Sequence, residues 1–90
     1  MEISYDPAKR EKTLQERELD FEDAPAVFAG PSLTQRDERF DYGEVRYQTY
    51  GLLDDRLVMV VWTGTKDRPR IISMRNCHAK ESLEVRPSLG

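Results

Sequence analysis

Cysteine is almost missing from this chain of 90 residues: Cys77 stands alone, so no internal disulfide can form. Histidine is as scarce, and His78 beside Cys77 makes no zinc-type ligand set. Both shortages suit a reducing cytoplasm, and no metal or other cofactor is expected. Long apolar runs are absent too. The longest, "LVMVVW", has the length of a strand, far short of the roughly 20 residues of a membrane-spanning helix. The opening "MEISYDPAKR" is acidic and mixed, unlike a signal peptide. There is no P-loop, dinucleotide fingerprint, metal motif or serine triad, which removes most familiar enzyme classes.

What is present is a 38% hydrophobic, 34% charged composition, that of one small domain, residues 1–90, with a modest core. The net charge of −3 hides an asymmetry. Residues 1–44 carry six Lys/Arg against twelve Asp/Glu, and residues 45–90 carry eight against five. An acidic half and a basic half let one face avoid anions while another attracts them; acids on exposed helices that serve only solubility are the alternative.

The pattern predicts an α+β fold. "EISY" is a short strand that stops at Asp6-Pro7, a good helix entry with Asp6 as cap and Pro7 in the first turn. A polar surface helix over about 7–17 follows. "LDFEDAPAVFAGP" spaces Phe21, Ala24, Val27 and Phe28 helically, with the regular helix starting near Ala24 or Pro25 and Asp23 as its cap. The period then changes to two. "SLTQRDERF" is a weak strand or loop, and "EVRYQTYGLL" alternates Val45, Tyr47 and Thr49 against Arg46, Gln48 and Tyr50. Asp54-Asp55 makes a turn, "RLVMVVWTG" a central strand, "PRIISMRN" the last strand, and "HAKESLEV" a closing helix with a tail that frays over about 86–90. Consecutive strands joined by short turns make an antiparallel meander, with helices before and after it covering one face.

Alternation along the last strand places Arg70, Ile72 and Met74 on one face and Ile71, Ser73 and Arg75 on the other. With Ile72 and Met74 against the helices, Ser73 and Arg75 lie on an uncovered face, where Arg46 is the natural companion. Arginine suits phosphate because its planar fork bonds two oxygens and keeps its charge. The competing reading pairs Arg46 and Arg75 with Glu44, Asp41 or Glu81 as surface salt bridges. His78 is the only side chain whose ordinary pKa lies near neutral, so it can pass protons, or it can simply cap the closing helix. Cys77 reads as a small core residue. Trp62, Tyr47 and Tyr50 either stack on bases or pack in a core.

Four segments, "YDPAKREKTL", "LDFEDAPAVFAGP", "DYGEVRYQTYGLLDDRLVMVVWT" and "RIISMR", occur in an order and spacing that resemble the BrnT family over nearly the whole chain. The resemblance implies a RelE-like fold with two N-terminal helices and a short C-terminal one. It implies a metal-independent ribonuclease toxin of a type II toxin–antitoxin module in the cytoplasm. A BrnA-like antitoxin would silence it in a hetero-oligomer and bind operator DNA itself. Carried onto this chain, Arg46, Arg70 and Arg75 hold phosphate, with Ser73, Lys80 and Gln48 as further RNA contacts. Glu81, which matches the glutamate of a closing "RxxxxxE" pattern, or His78 handles protons. The chain departs from the family where Lys-His-Gly is common, reading Glu16, Arg17 and Glu18, and its end lacks the usual basic helix with a tyrosine. The second reading is therefore a toxin-derived binding module that keeps only its antitoxin interface.

Overall fold

Capping chemistry accounts for where the first helix starts. In the computed structural model, which describes residues 1–89, the Asp6 carboxylate accepts from the Ala8 N–H at 2.9 Å. It opens α1, Pro7–Arg17, which buries none of its residues. The helix ends on Glu18, whose φ of 56° is left-handed and whose N–H donates to the Leu14 carbonyl. That conformation favours glycine, and Glu18 adopts it without glycine's freedom. A 3-10 turn, Phe21–Asp23, leads into α2, Ala24–Ala29. Asp23 holds the cap position without a side-chain cap bond, and Asp20 accepts from Glu22 N–H one turn earlier.

Five strands follow the order β1-β5-β4-β3-β2. They are β1 (Ser4–Tyr5), β2 (Ser32–Arg36), β3 (Arg46–Leu53), β4 (Arg56–Gly64) and β5 (Pro69–Asn76). Asp54 and Asp55, both at positive φ, form the two-residue turn between β3 and β4 and set Leu53 opposite Arg56. Strands β2 to β5 form the expected meander. The sheet is nevertheless mixed, because β1 runs parallel to β5, with Ser4 opposite Arg70 and Tyr5 opposite Ile71. Two residues carry too little pattern to announce that long-range pairing.

The expected alternation of β5 also fails. Val61 pairs with Ser73 while Trp62 pairs with Ile71, so Ile72 is an extra residue in a β-bulge. Ile71 and Met74 consequently both enter the main core. Arg70, Ser73 and Arg75 fall together on the opposite face, because their partners Thr63, Val61 and Met59 do.

The two faces are covered by different helices. On one, Phe21, Ala24 and Val27 pack against Val58, Val60, Trp62, Ile71 and Met74. Gly51 permits this approach: a Cβ there would lie 2.7 Å from Val27 Cγ1. Tyr47 and Trp62 stack at 4.7 Å in this layer, and the Trp62 indole donates to Thr49 Oγ1, so both belong to the core.

The closing helix α3, Ala79–Val85, packs on the other face and not beside α1 and α2 as expected. Val85 and Leu89 meet the cluster of Tyr50, Leu57, Met59 and Val61, with Cys77 and Ile72 alongside. Residues 86–88, expected to fray, form a 3-10 turn in which Arg86 donates to the Asp55 carbonyl at 2.7 Å. No helix among the described residues is long and apolar enough to cross a membrane.

Candidate functional site

Register arranges the second face in rows. Arg46 on β3 lies opposite Thr63 on β4, and Thr63 lies opposite Arg70 on β5. The next row holds Gln35, Gln48, Val61 and Ser73, and the one after it Leu33, Tyr50, Met59 and Arg75. Every sequence-derived sheet residue therefore shares one face: Arg46, Gln48, Arg70, Ser73 and Arg75. The face is not uncovered, however, because α3 closes the Arg75 end and leaves the Arg46 end open.

At the open end the loop between β2 and β3, residues 37–45, is braced by Asp37. Its buried carboxylate accepts from Arg39 Nε and Nη2 at 2.9 and 2.8 Å and from the Tyr42 hydroxyl at 3.2 Å. These bonds, that from Arg39 above all, hold the Asp37 carboxyl down at about 2. The Asp37 N–H donates to the Arg46 carbonyl, and Thr63 Oγ1 donates to the Val45 carbonyl, so the loop is tied to both strands. Tyr42 then carries the Arg46 guanidinium 4.0 Å from its ring centroid. Arg46 Nε donates to Glu44 at 2.9 Å, and among the described residues neither terminal nitrogen of Arg46 has a partner. Arg70 is exposed and pairs with no carboxylate among those residues.

The closed end differs. Arg75 Nη1 and Nη2 both donate to Glu81, at 2.8 and 2.9 Å, so its fork is occupied. That pair holds the Glu81 carboxyl down at about 2, and Arg75 is shifted upward in turn. Burial pushes the Cys77 thiol up to about 12. His78 caps α3, its Nδ1 accepting from the Glu81 N–H at 3.1 Å. Lys80 is exposed on the first turn of the helix.

Both salt bridges of the competing reading, Arg46–Glu44 and Arg75–Glu81, are thus present, yet they differ in what they leave free. The two arginines do not converge on one phosphate. Four residues of strand separate their rows, roughly 13 Å. Between the rows, Gln48 is buried and accepts from Gln35 Nε2 at 2.8 Å, and Ser73 is half-buried. Among the described residues no three His, Cys, Asp or Glu side chains group as a metal site.

Sequence reading missed Thr63, Gln35 and Tyr42. The first had a signal, since a two-residue turn at Asp54-Asp55 places Thr63 opposite Arg46 by counting back along the hairpin. Gln35 needs the β2 register, and Tyr42 reaches Arg46 from a loop without period, so no local signal marks either.

Fold and face together define a class: a small α+β domain with an arginine-bearing sheet face that one helix half covers. The family model for the ribonuclease toxin BrnT of type II toxin–antitoxin systems matches residues 5–81, and the chain belongs to that family. Membership implies RNA as substrate and an antitoxin as partner. No individually curated protein matches the chain.

Proposed function

We propose that the chain is a metal-independent endoribonuclease toxin with a RelE-like site on the Arg46–Arg70 face, neutralised by a DNA-binding antitoxin of the BrnA kind. Attack by the ribose 2′-hydroxyl on the adjacent phosphorus requires no protein nucleophile. It requires a group that takes the hydroxyl proton, one that protonates the leaving 5′-oxygen, and cations for the charge on the phosphoryl oxygens. The observation that carries the reading is the row Arg46–Thr63–Arg70, with the Arg46 fork free. Arg46 and Arg70 hold the phosphate, while Ser73 and Lys80 contact the strand toward the α3 end. Gln48, expected as a further RNA contact, is buried against Gln35 and packs the sheet instead.

His78, whose Nδ1 is engaged as a cap and whose Nε2 remains, handles protons more readily than Glu81. Both stand at the Arg75 end, roughly 13 Å or more along the strands from the Arg46–Arg70 row, so either serves only a phosphate that reaches that end. A carboxylate held at about 2 is too weak a base to take a hydroxyl proton well and is no acid near neutral pH. Arg75 acts on the substrate only when Glu81 releases it. This last point favours the second reading, a module that has lost catalysis and keeps antitoxin binding.

Purified protein is incubated with RNA in EDTA beside Arg46→Ala, Arg70→Ala and Arg75→Ala. Cleavage that persists in EDTA and drops at least about tenfold in the first two variants supports the ribonuclease reading. Absence of cleavage by a folded protein that still binds its antitoxin supports the module.

A further inference from the structure

The aromatic side chain that the fold leaves most open to water is one ring removed from the guanidinium of Arg46. Phe40 is 70% exposed, and among the described residues its one aromatic neighbour is Tyr42, met edge-on with ring centroids 5.8 Å apart. Tyr42 is the ring that carries the Arg46 guanidinium. Phe40, Tyr42 and Arg46 therefore form one contiguous chain of contacts on a loop braced by the buried Asp37. Val45, also exposed, adds apolar surface to the same shallow groove.

We propose that Phe40 is a base-stacking residue for single-stranded RNA whose neighbouring phosphate sits on Arg46. The inference rests on the phosphate role given to Arg46 above. Stacking on an exposed ring is indifferent to base identity but requires an unpaired base, so the loop selects single strands over duplex. Charge around the ring permits it. Asp37 and Glu44 are matched by Arg39 and Arg46, and Glu38 lies 4.0 Å from Arg36. Asp41 alone of the loop carboxylates has no arginine beside it, its oxygen accepting from the Gly43 N–H. A polyanion is therefore repelled by Asp41 and by Glu38, whose exposed contact with Arg36 screens it only weakly, whereas a basic protein segment in the same groove would be attracted by both. The sign of an Asp41 substitution separates the two occupants.

The test uses the whole chain and a single-stranded RNA carrying 2′-O-methyl groups, which blocks cleavage and leaves binding to be measured, beside the same RNA as a duplex. Phe40→Ala weakens single-strand binding about tenfold and leaves the melting temperature unchanged, because the ring is exposed. Phe40→Trp retains binding, and RNA quenches its fluorescence, since the one native tryptophan is buried in the opposite layer. Asp41→Asn, which keeps the turn, tightens binding. The proposal is overturned if Phe40→Ala binds as tightly as the native chain, if the Phe40→Trp signal is unmoved by saturating RNA, or if Asp41→Asn weakens RNA binding. An Asp41→Asn variant that loses affinity for a basic antitoxin segment while its RNA binding stays unchanged also overturns it. Arg46→Ala keeps the two readings apart. Full affinity in Arg46→Ala with loss in Phe40→Ala leaves stacking standing and removes the phosphate role; the reverse removes stacking alone.

Discussion

The two ends of one sheet face hold their arginines in opposite ways. Arg46 rests on the face of Tyr42 and gives only Nε to Glu44, so its two terminal nitrogens are available. Arg75 gives both terminal nitrogens to Glu81 under the edge of α3. Both are arginine–glutamate pairs, and a list of salt bridges would treat them alike. The chemical difference lies in which nitrogens are used: a bidentate pair saturates the planar fork, while an Nε contact with an aromatic platform orients the fork and leaves it open. One fork is left open, and the other fastens a helix.

Removing Glu81 tests that contrast most severely. Glu81→Ala strands a half-buried guanidinium and cuts the tie between α3 and the sheet, and it is expected to cost about 1.5–3 kcal/mol in urea unfolding. If the closed fork is what keeps this end from RNA, the milder Glu81→Gln gains RNA affinity while losing stability. Unchanged affinity in a folded Glu81→Gln would mean the two ends differ for another reason.

Acid acts on both ends at once and ranks next. Asp37 at the open end and Glu81 at the closed end both titrate near 2, below the ordinary carboxylate range of about 4. A depressed folded-state value adds stability that is complete above the unfolded pKa and is lost as pH falls through the folded one. The melting temperature should therefore drop between about pH 4 and pH 2. Asp37→Asn and Glu81→Gln should each flatten that slope, and thermal melts at pH 7, 4 and 2.5 measure both.

The smallest effect is expected from the cap. His78→Ala removes one acceptor from the start of α3 and should cost about 0.5–1 kcal/mol, read from the urea midpoint at pH 7. If cleavage falls much further than that loss can explain, His78 handles protons as well as capping. Cleavage retained in full restricts it to the cap.

Local signals announced much of this structure because they depend on neighbours in the chain. Asp6-Pro7 marks the start of α1, Asp54-Asp55 the turn at positive φ, and the alternation of "EVRYQTYGLL" the side of β3 that carries Arg46 and Gln48. The last strand was harder. Ile71 and Ile72 are identical in polarity, so nothing local says which of them is the extra residue of a bulge, and that choice decides the face of Arg70. The α3 face was equally illegible, since a seven-residue helix with Val85 as its apolar contact fits either side of a sheet.

By itself the sequence determined the element order, the meander, the absence of a disulfide and the gathering of arginines on the last strands, since each follows from composition or from residues a few positions apart. Only the tertiary structure decided which arginine is free. Tyr42 comes to Arg46 from a loop and Glu81 to Arg75 from a helix laid back over the sheet, and a guanidinium's availability depends on partners that reach it through space.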